Sequence, residues 1–169
     1  MPASLSRRIA RRALFSATFA AGLYLAVPTV SHAFDRASPA PVNLSQGDIA
    51  IKGHDPVAYF TQSAAVPGSP EFTASHDGAT YRFASAENRD TFLADPARYA
   101  PAYGGFCAFG ASYGAKIDID PTAFAVVNGR LYLNVSRRVN RRWSRDRANL
   151  ITQADANWPR IKNTAPSAL

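Results

Sequence analysis

A single cysteine, Cys107, rules out an intramolecular disulfide, so a folded domain in this 169-residue chain stands on packing alone. Acidic residues are missing before Asp35, and the apolar run Ala13 to Val27 is shorter than the roughly 18–20 residues a spanning helix needs. A Cys/His/Asp hydrolase would find its residue types here but no local nucleophile signature. No nucleic-acid-binding motif and no secure internal repeat is present. The chain therefore reads as a binding module and not as an enzyme.

The first 33 residues have the order of a secretory signal. Arg7, Arg8, Arg11 and Arg12 form a basic region, the apolar run follows, and Ser31-His32-Ala33 offers a small-x-small cleavage site before Phe34. Arg11-Arg12-Ala13-Leu14-Phe15 resembles a twin-arginine export signal, with Sec export as the alternative, and either route implies a periplasmic protein. The twin-arginine route would carry the domain across already folded. After cleavage no membrane span is expected. Removing four arginines from 19 basic and 12 acidic residues leaves 15 against 12, a net charge of +3, so the high isoelectric point says little about nucleic acid. The remaining basicity concentrates in Arg137, Arg138, Arg141, Arg142, Arg145 and Arg147.

Residues 34–46, rich in proline and small polar residues, read as a linker. The domain proper is expected over 47–160, with a flexible tail at 161–169. Ile49 to Gly53 suggests a short edge strand, and Asp55-Pro56 a capped helical turn. Residues 71–76 and 79–84 alternate around Asp77-Gly78 and predict a hairpin with 76 opposite 79. Ser85 caps a helix to Asp95, and Asp95-Pro96 starts another helical turn. A second hairpin turns at Asn128-Gly129, with Phe124, Val126, Leu131, Leu133 and Val135 on one face. Val139, Trp143, Leu150, Ala154 and Trp158 recur at helical spacing, predicting one long closing helix from the Ser136 cap. The expected fold class is α+β: a small single domain of two β-hairpins, short helices and one long C-terminal helix.

The elements Asp55-Pro56-Val57, Tyr81-x-Phe83-Ala84-Ser85-Ala86-x-Asn88, Phe92, Asp95-Pro96 and Tyr99 resemble the YHS domain, a small module related to treble-clef-like metal-binding domains. The continuation from Tyr99 through Tyr103-Gly104-Gly105-x-Cys107-Ala108, with Leu131 to Asn134 and Trp158-Pro159, is similar to exported bacterial YHS proteins. The resemblance covers roughly Gly47 to Pro159 and implies the fold. It also implies metal handling, but the positions at which metal-handling members carry cysteine are Ala58, Ala84 and Asn88 here.

Two functional readings follow. In the first, an exported YHS-like module binds or handles a transition metal through Cys107 with His54, copper being the natural cofactor in an oxidising compartment. A thiol following two glycines at a helix N-terminus would have its pKa lowered. In the second, a protein- or small-ligand-interaction domain works without metal, using the aromatic loop and the arginine-rich helix. Its partner would be an acidic protein or an anionic lipid surface meeting Arg137 to Arg147. Each reading has a plainer counterpart. Cys107 could be a small buried hydrophobe, His54 a loop histidine, and His76 a turn residue. Asp118 and Asp120 favour turn capping over cation binding. Tyr59, Tyr99, Tyr103 and Tyr113 suit a core as well as a pocket, and the arginines suit a solvated face.

Overall fold

The computed structural model describes residues 34–45 and 47–169. The expected signal segment, 1–33, lies outside the described residues. The described chain is α+β, with a four-stranded sheet, a two-stranded sheet and six α-helices.

Alternation around Asp77-Gly78 produces β3 (Ser69–His76) and β4 (Ala79–Phe83), antiparallel, with His76 opposite Ala79 and Ala74 opposite Tyr81. Asp77 and Gly78 have φ of 50° and 74°, the positive values a two-residue hairpin turn demands. Two short strands complete this sheet. β1 (Leu44–Ser45) pairs antiparallel with β2 (Ile49–Ala50), and β2 runs parallel to β4, giving the order β1-β2-β4-β3. The expected edge strand at 49–53 is therefore corrected twice. It lies inside the sheet, and it stops after two residues because Ile51 and Lys52 turn to φ of 50° and 51°.

The stretch expected to be a linker is also built in. Val42 and Asn43 are buried, Leu44 and Ser45 form the sheet edge, and the Asn43 amide donates to the Gly104 carbonyl at 2.8 Å. This crossing explains the paired glycines. Gly104 has φ of +57°, and a Cβ there would overlap the carbonyl of Pro41.

The short helices begin where the sequence places its caps. α1 (Ala58–Thr61) follows Asp55-Pro56. α2 (Ala86–Ala94) opens on Ser85, whose Oγ accepts from Asn88 N, and α3 (Pro96–Tyr99) opens on Asp95 with proline in its first turn. α4 (Ala108–Ser112) opens on Cys107.

The second hairpin joins β5 (Asp120–Val127) to β6 (Arg130–Asn134), with Val127 opposite Arg130. The apolar face expected of this hairpin is only one of two, because β6 is covered on both sides. Leu131 and Leu133 enter a cluster with Tyr59, Tyr81, Phe83 and Phe92. Tyr132, pointing the other way, enters a second cluster with Tyr103, Trp143, Leu150 and Ala154. Val126 and Val135, towards the ends of the first face, are 39% exposed.

The single closing helix is corrected to two, α5 (Arg137–Ser144) and α6 (Arg147–Ile161). Asp146 leaves helical geometry at φ −136°, and its carboxylate takes the Asn149 side-chain amide at 2.7 Å. The apolar stripe survives the break because Trp143 and Leu150 both still reach the second cluster, while Val139 packs on the first. The expected flexible tail is likewise docked. Ile161 and Pro166 are buried, and Ser167 N donates to the Arg36 carbonyl at 2.9 Å. Among the described residues no helix is long and apolar enough to cross a membrane. The described residues hold two packed clusters, whose members run from Val42 to Trp158.

Candidate functional site

Asp55, fully buried at the mouth of α1, has four hydrogen-bond donors around its carboxylate. One carboxylate oxygen accepts from Val57 N at 2.8 Å and Ala58 N at 3.3 Å; the other accepts from Ala84 N at 2.8 Å and Asn88 Nδ2 at 2.6 Å. The sequence places Asp55 as a local cap. The structure makes it a tie between α1 and the β4–α2 junction, 29 to 33 residues away. Ala58, Ala84 and Asn88 are the positions where the YHS resemblance expects thiols. In this chain their two backbone amides and one side-chain amide converge on an oxygen acid, a set of donors that cannot ligate a metal.

Cys107 is 1% exposed and sits in the first cluster. Its thiol donates to Asn134 Oδ1 at 3.5 Å, and the sulfur accepts from Gly110 N as the cap of α4. Burial pushes the thiol pKa up, outweighing the backbone N–H groups that act the other way. Asn134, fully buried, also accepts from Phe109 N and donates to Asn140, which in turn donates to the Phe124 carbonyl. The thiol thus belongs to a structural amide chain that links α4, β6, α5 and β5. Sequence reasoning missed Asn134 as a residue, though it closes the Leu131 to Asn134 motif.

Lys116 left no signal in the sequence at all. It is 3% exposed, and its ammonium lies within hydrogen-bonding distance of the carbonyls of Pro39 (3.5 Å), Ala40 (2.7 Å), Lys162 (3.1 Å) and Thr164 (2.9 Å), 4.7 Å from the centre of the Phe106 ring. Burial pushes its pKa down from the ordinary lysine value. One cation therefore pins the segment before β1 to the segment after α6.

His54 and Cys107 do not share a hydrogen-bond partner. His54 is half-buried, with Nδ1 3.3 Å from the Ile51 carbonyl, and among the described residues no group of three His, Cys, Asp or Glu side chains is placed to hold a metal. His76 packs its ring edge on Phe92 beside Asp77. Asp120 accepts from both the amide and the hydroxyl of Thr122, as a turn cap does, whereas Asp118 pairs with Lys52 at 2.7 Å. The tyrosines do not meet in one pocket. Tyr59 donates to the Pro121 carbonyl in the first cluster, Tyr103 to Asp155 in the second, Tyr99 packs on Phe60, and Tyr113 is 67% exposed. Two open clefts, of about 360 and 430 Å³, flank the segment before β1, and neither is lined by Cys107 or His54.

The arginines behave differently from all these groups. Arg137, Arg138, Arg141, Arg142, Arg145 and Arg147 are all exposed. The ion pairs among the described residues are Lys52–Asp118, His76–Asp77, Arg89–Asp90 and Arg130–Asp155, so none of the six has a carboxylate within 4.0 Å. Turning about 100° per residue, the five at 137–145 cover an arc of roughly 140° on α5, opposite Val139 and Trp143. Arg137 donates to Thr122 Oγ1, and Arg142 stacks over Phe109 at 5.4 Å.

Comparisons with protein-family models, curated proteins and solved structures return no significant match.

Proposed function

We propose that this chain is an exported, periplasmic YHS-like binding module without an enzymatic step, and that it engages an anionic partner through the arginine arc of α5 and the start of α6. One observation carries the reading: these are six exposed cations, clustered within eleven residues, with no carboxylate partner among the described residues, while the candidate groups Cys107, Asp55 and Lys116 are buried and hydrogen-bonded within the fold. Unpaired surface charges of one sign raise the local concentration of the opposite sign and steer its approach. Guanidinium groups add bidentate recognition of carboxylate or phosphate.

The copper reading through Cys107 and His54 draws less from the geometry. Its thiol is enclosed, protonation is favoured by burial, and its histidine is hydrogen-bonded elsewhere.

Calorimetric titration of residues 34–169 with heparin, used as a soluble polyanion, tests the anionic reading. Binding is expected to weaken with salt and to fall by about tenfold or more in Arg137→Glu/Arg138→Glu/Arg141→Glu. Equal affinity of the two proteins would overturn it.

A further inference from the structure

The arginine arc does not stand alone on its side of the molecule. The guanidinium of Arg142 lies over the Phe109 ring at 5.4 Å, and Phe109 meets Tyr113 edge to face at 5.1 Å. Tyr113, at the end of α4, is at 67% the most exposed large apolar side chain among the described residues. Ile117, 40% exposed, packs back on Gly110 of the same helix. Cationic and aromatic surface are thus continuous from α5 onto α4.

The three lysines of the chain, Lys52, Lys116 and Lys162, are all elsewhere, and the face is built from arginine. The planar guanidinium can stack its face on an aromatic ring while its edge still donates two hydrogen bonds to a phosphate.

From this juxtaposition, which rests on the reading above, we infer that the anionic partner is a bilayer surface carrying anionic phospholipid headgroups. The arc meets the phosphates, and Tyr113, backed by the half-buried Phe109, enters the headgroup layer beside it. An acidic peptide would satisfy the charges but leave the exposed aromatic edge unused. A headgroup layer takes both, because tyrosine is favoured where an apolar ring and a polar tip straddle the interface. Attraction of basic groups to such a surface accumulates residue by residue and decays within a Debye length. The protein would lie on the membrane, not in it, in keeping with the lack of a spanning helix among the described residues.

Co-sedimentation of residues 34–169 with phosphatidylglycerol vesicles and with phosphatidylcholine vesicles tests this, with heparin titration of the same proteins in parallel. Partitioning onto the anionic vesicles alone is expected, falling on the order of 100-fold in Arg137→Gln/Arg138→Gln/Arg141→Gln. In Tyr113→Ser it is expected to fall about threefold or more while heparin affinity stays unchanged. Heparin binding without vesicle binding would overturn the lipid inference and leave the anionic reading standing, with an acidic protein as partner. Loss of both would remove both. Equal binding to the two vesicle types, or anionic binding indifferent to Tyr113→Ser, would also overturn the inference.

Discussion

Asp55 and the arginine arc are the two extremes of charge in this molecule. The carboxylate is wholly buried and receives four donors, two from the start of α1 and two from the β4–α2 junction. The six arginines are exposed and meet no carboxylate. A buried charge is tolerated only when its hydrogen bonds are complete, and its removal strands the partners. An exposed charge costs little to leave unpaired, and folding does not require five of one sign along one arc of α5 with a sixth at the start of α6. The buried carboxylate answers to the fold, and the exposed arc is the surface that the proposed function gives to a partner.

The largest effect is expected from removing the buried carboxylate. Asp55→Ala leaves three backbone amides and one side-chain amide without their acceptor, and a loss of about 3–5 kcal/mol is expected in urea unfolding. A loss below about 1 kcal/mol would mean that the node is not a tie. Next in size is Lys116→Met, which empties a site facing four carbonyls. We expect a loss of about 2–3 kcal/mol, with faster proteolysis near both Ala40 and Thr164 in the native protein. Unchanged cleavage at either end would show that the two segments are held independently.

A smaller effect follows from the thiol. Because burial raises the Cys107 pKa in the folded state, the unfolded chain gives up its proton first as pH rises. Its contribution to stability is present below the ordinary thiol value of 9.0 and is lost as pH climbs through the folded value. Between pH 8 and 10 the wild type should lose stability faster than Cys107→Ala, and native Cys107 should resist alkylation that is rapid in urea. Immediate native alkylation would contradict the enclosure. Smallest of all, Arg137→Glu/Arg138→Glu/Arg141→Glu should shift stability by no more than about 0.5 kcal/mol per site, since the arc makes no ion pair to lose.

Local signals were legible in the sequence. Asp77-Gly78 and Asn128-Gly129 fixed both hairpins, and Ser85, Asp95 and Ser136 fixed three helix starts, because each device acts within a few residues. What composition suggested at the chain ends was misleading. Proline-rich 34–46 and polar 161–169 read as free, yet both are held by Lys116, a contact 46 to 77 residues away in sequence. The closing helix was read as unbroken because the seven-residue step from Trp143 to Leu150 keeps helical phase across the Asp146 interruption. For the site, the arginine cluster was visible as sequence. The lack of carboxylates around it, and the aromatic edge beside Arg142, required the fold. The enclosure of Cys107 is likewise tertiary, since Asn134 reaches it from 27 residues on.

The proposed function requires that the buried polar groups, Cys107 among them, be structural and that binding belong to the exposed arc. Anaerobic titration of residues 34–169 with Cu(I), Cu(II) and Zn(II), beside Cys107→Ala, tests this most directly. No stoichiometric binding that depends on Cys107 is expected. Tight one-to-one binding in the wild type that vanishes in Cys107→Ala would contradict it and return the function to the metal.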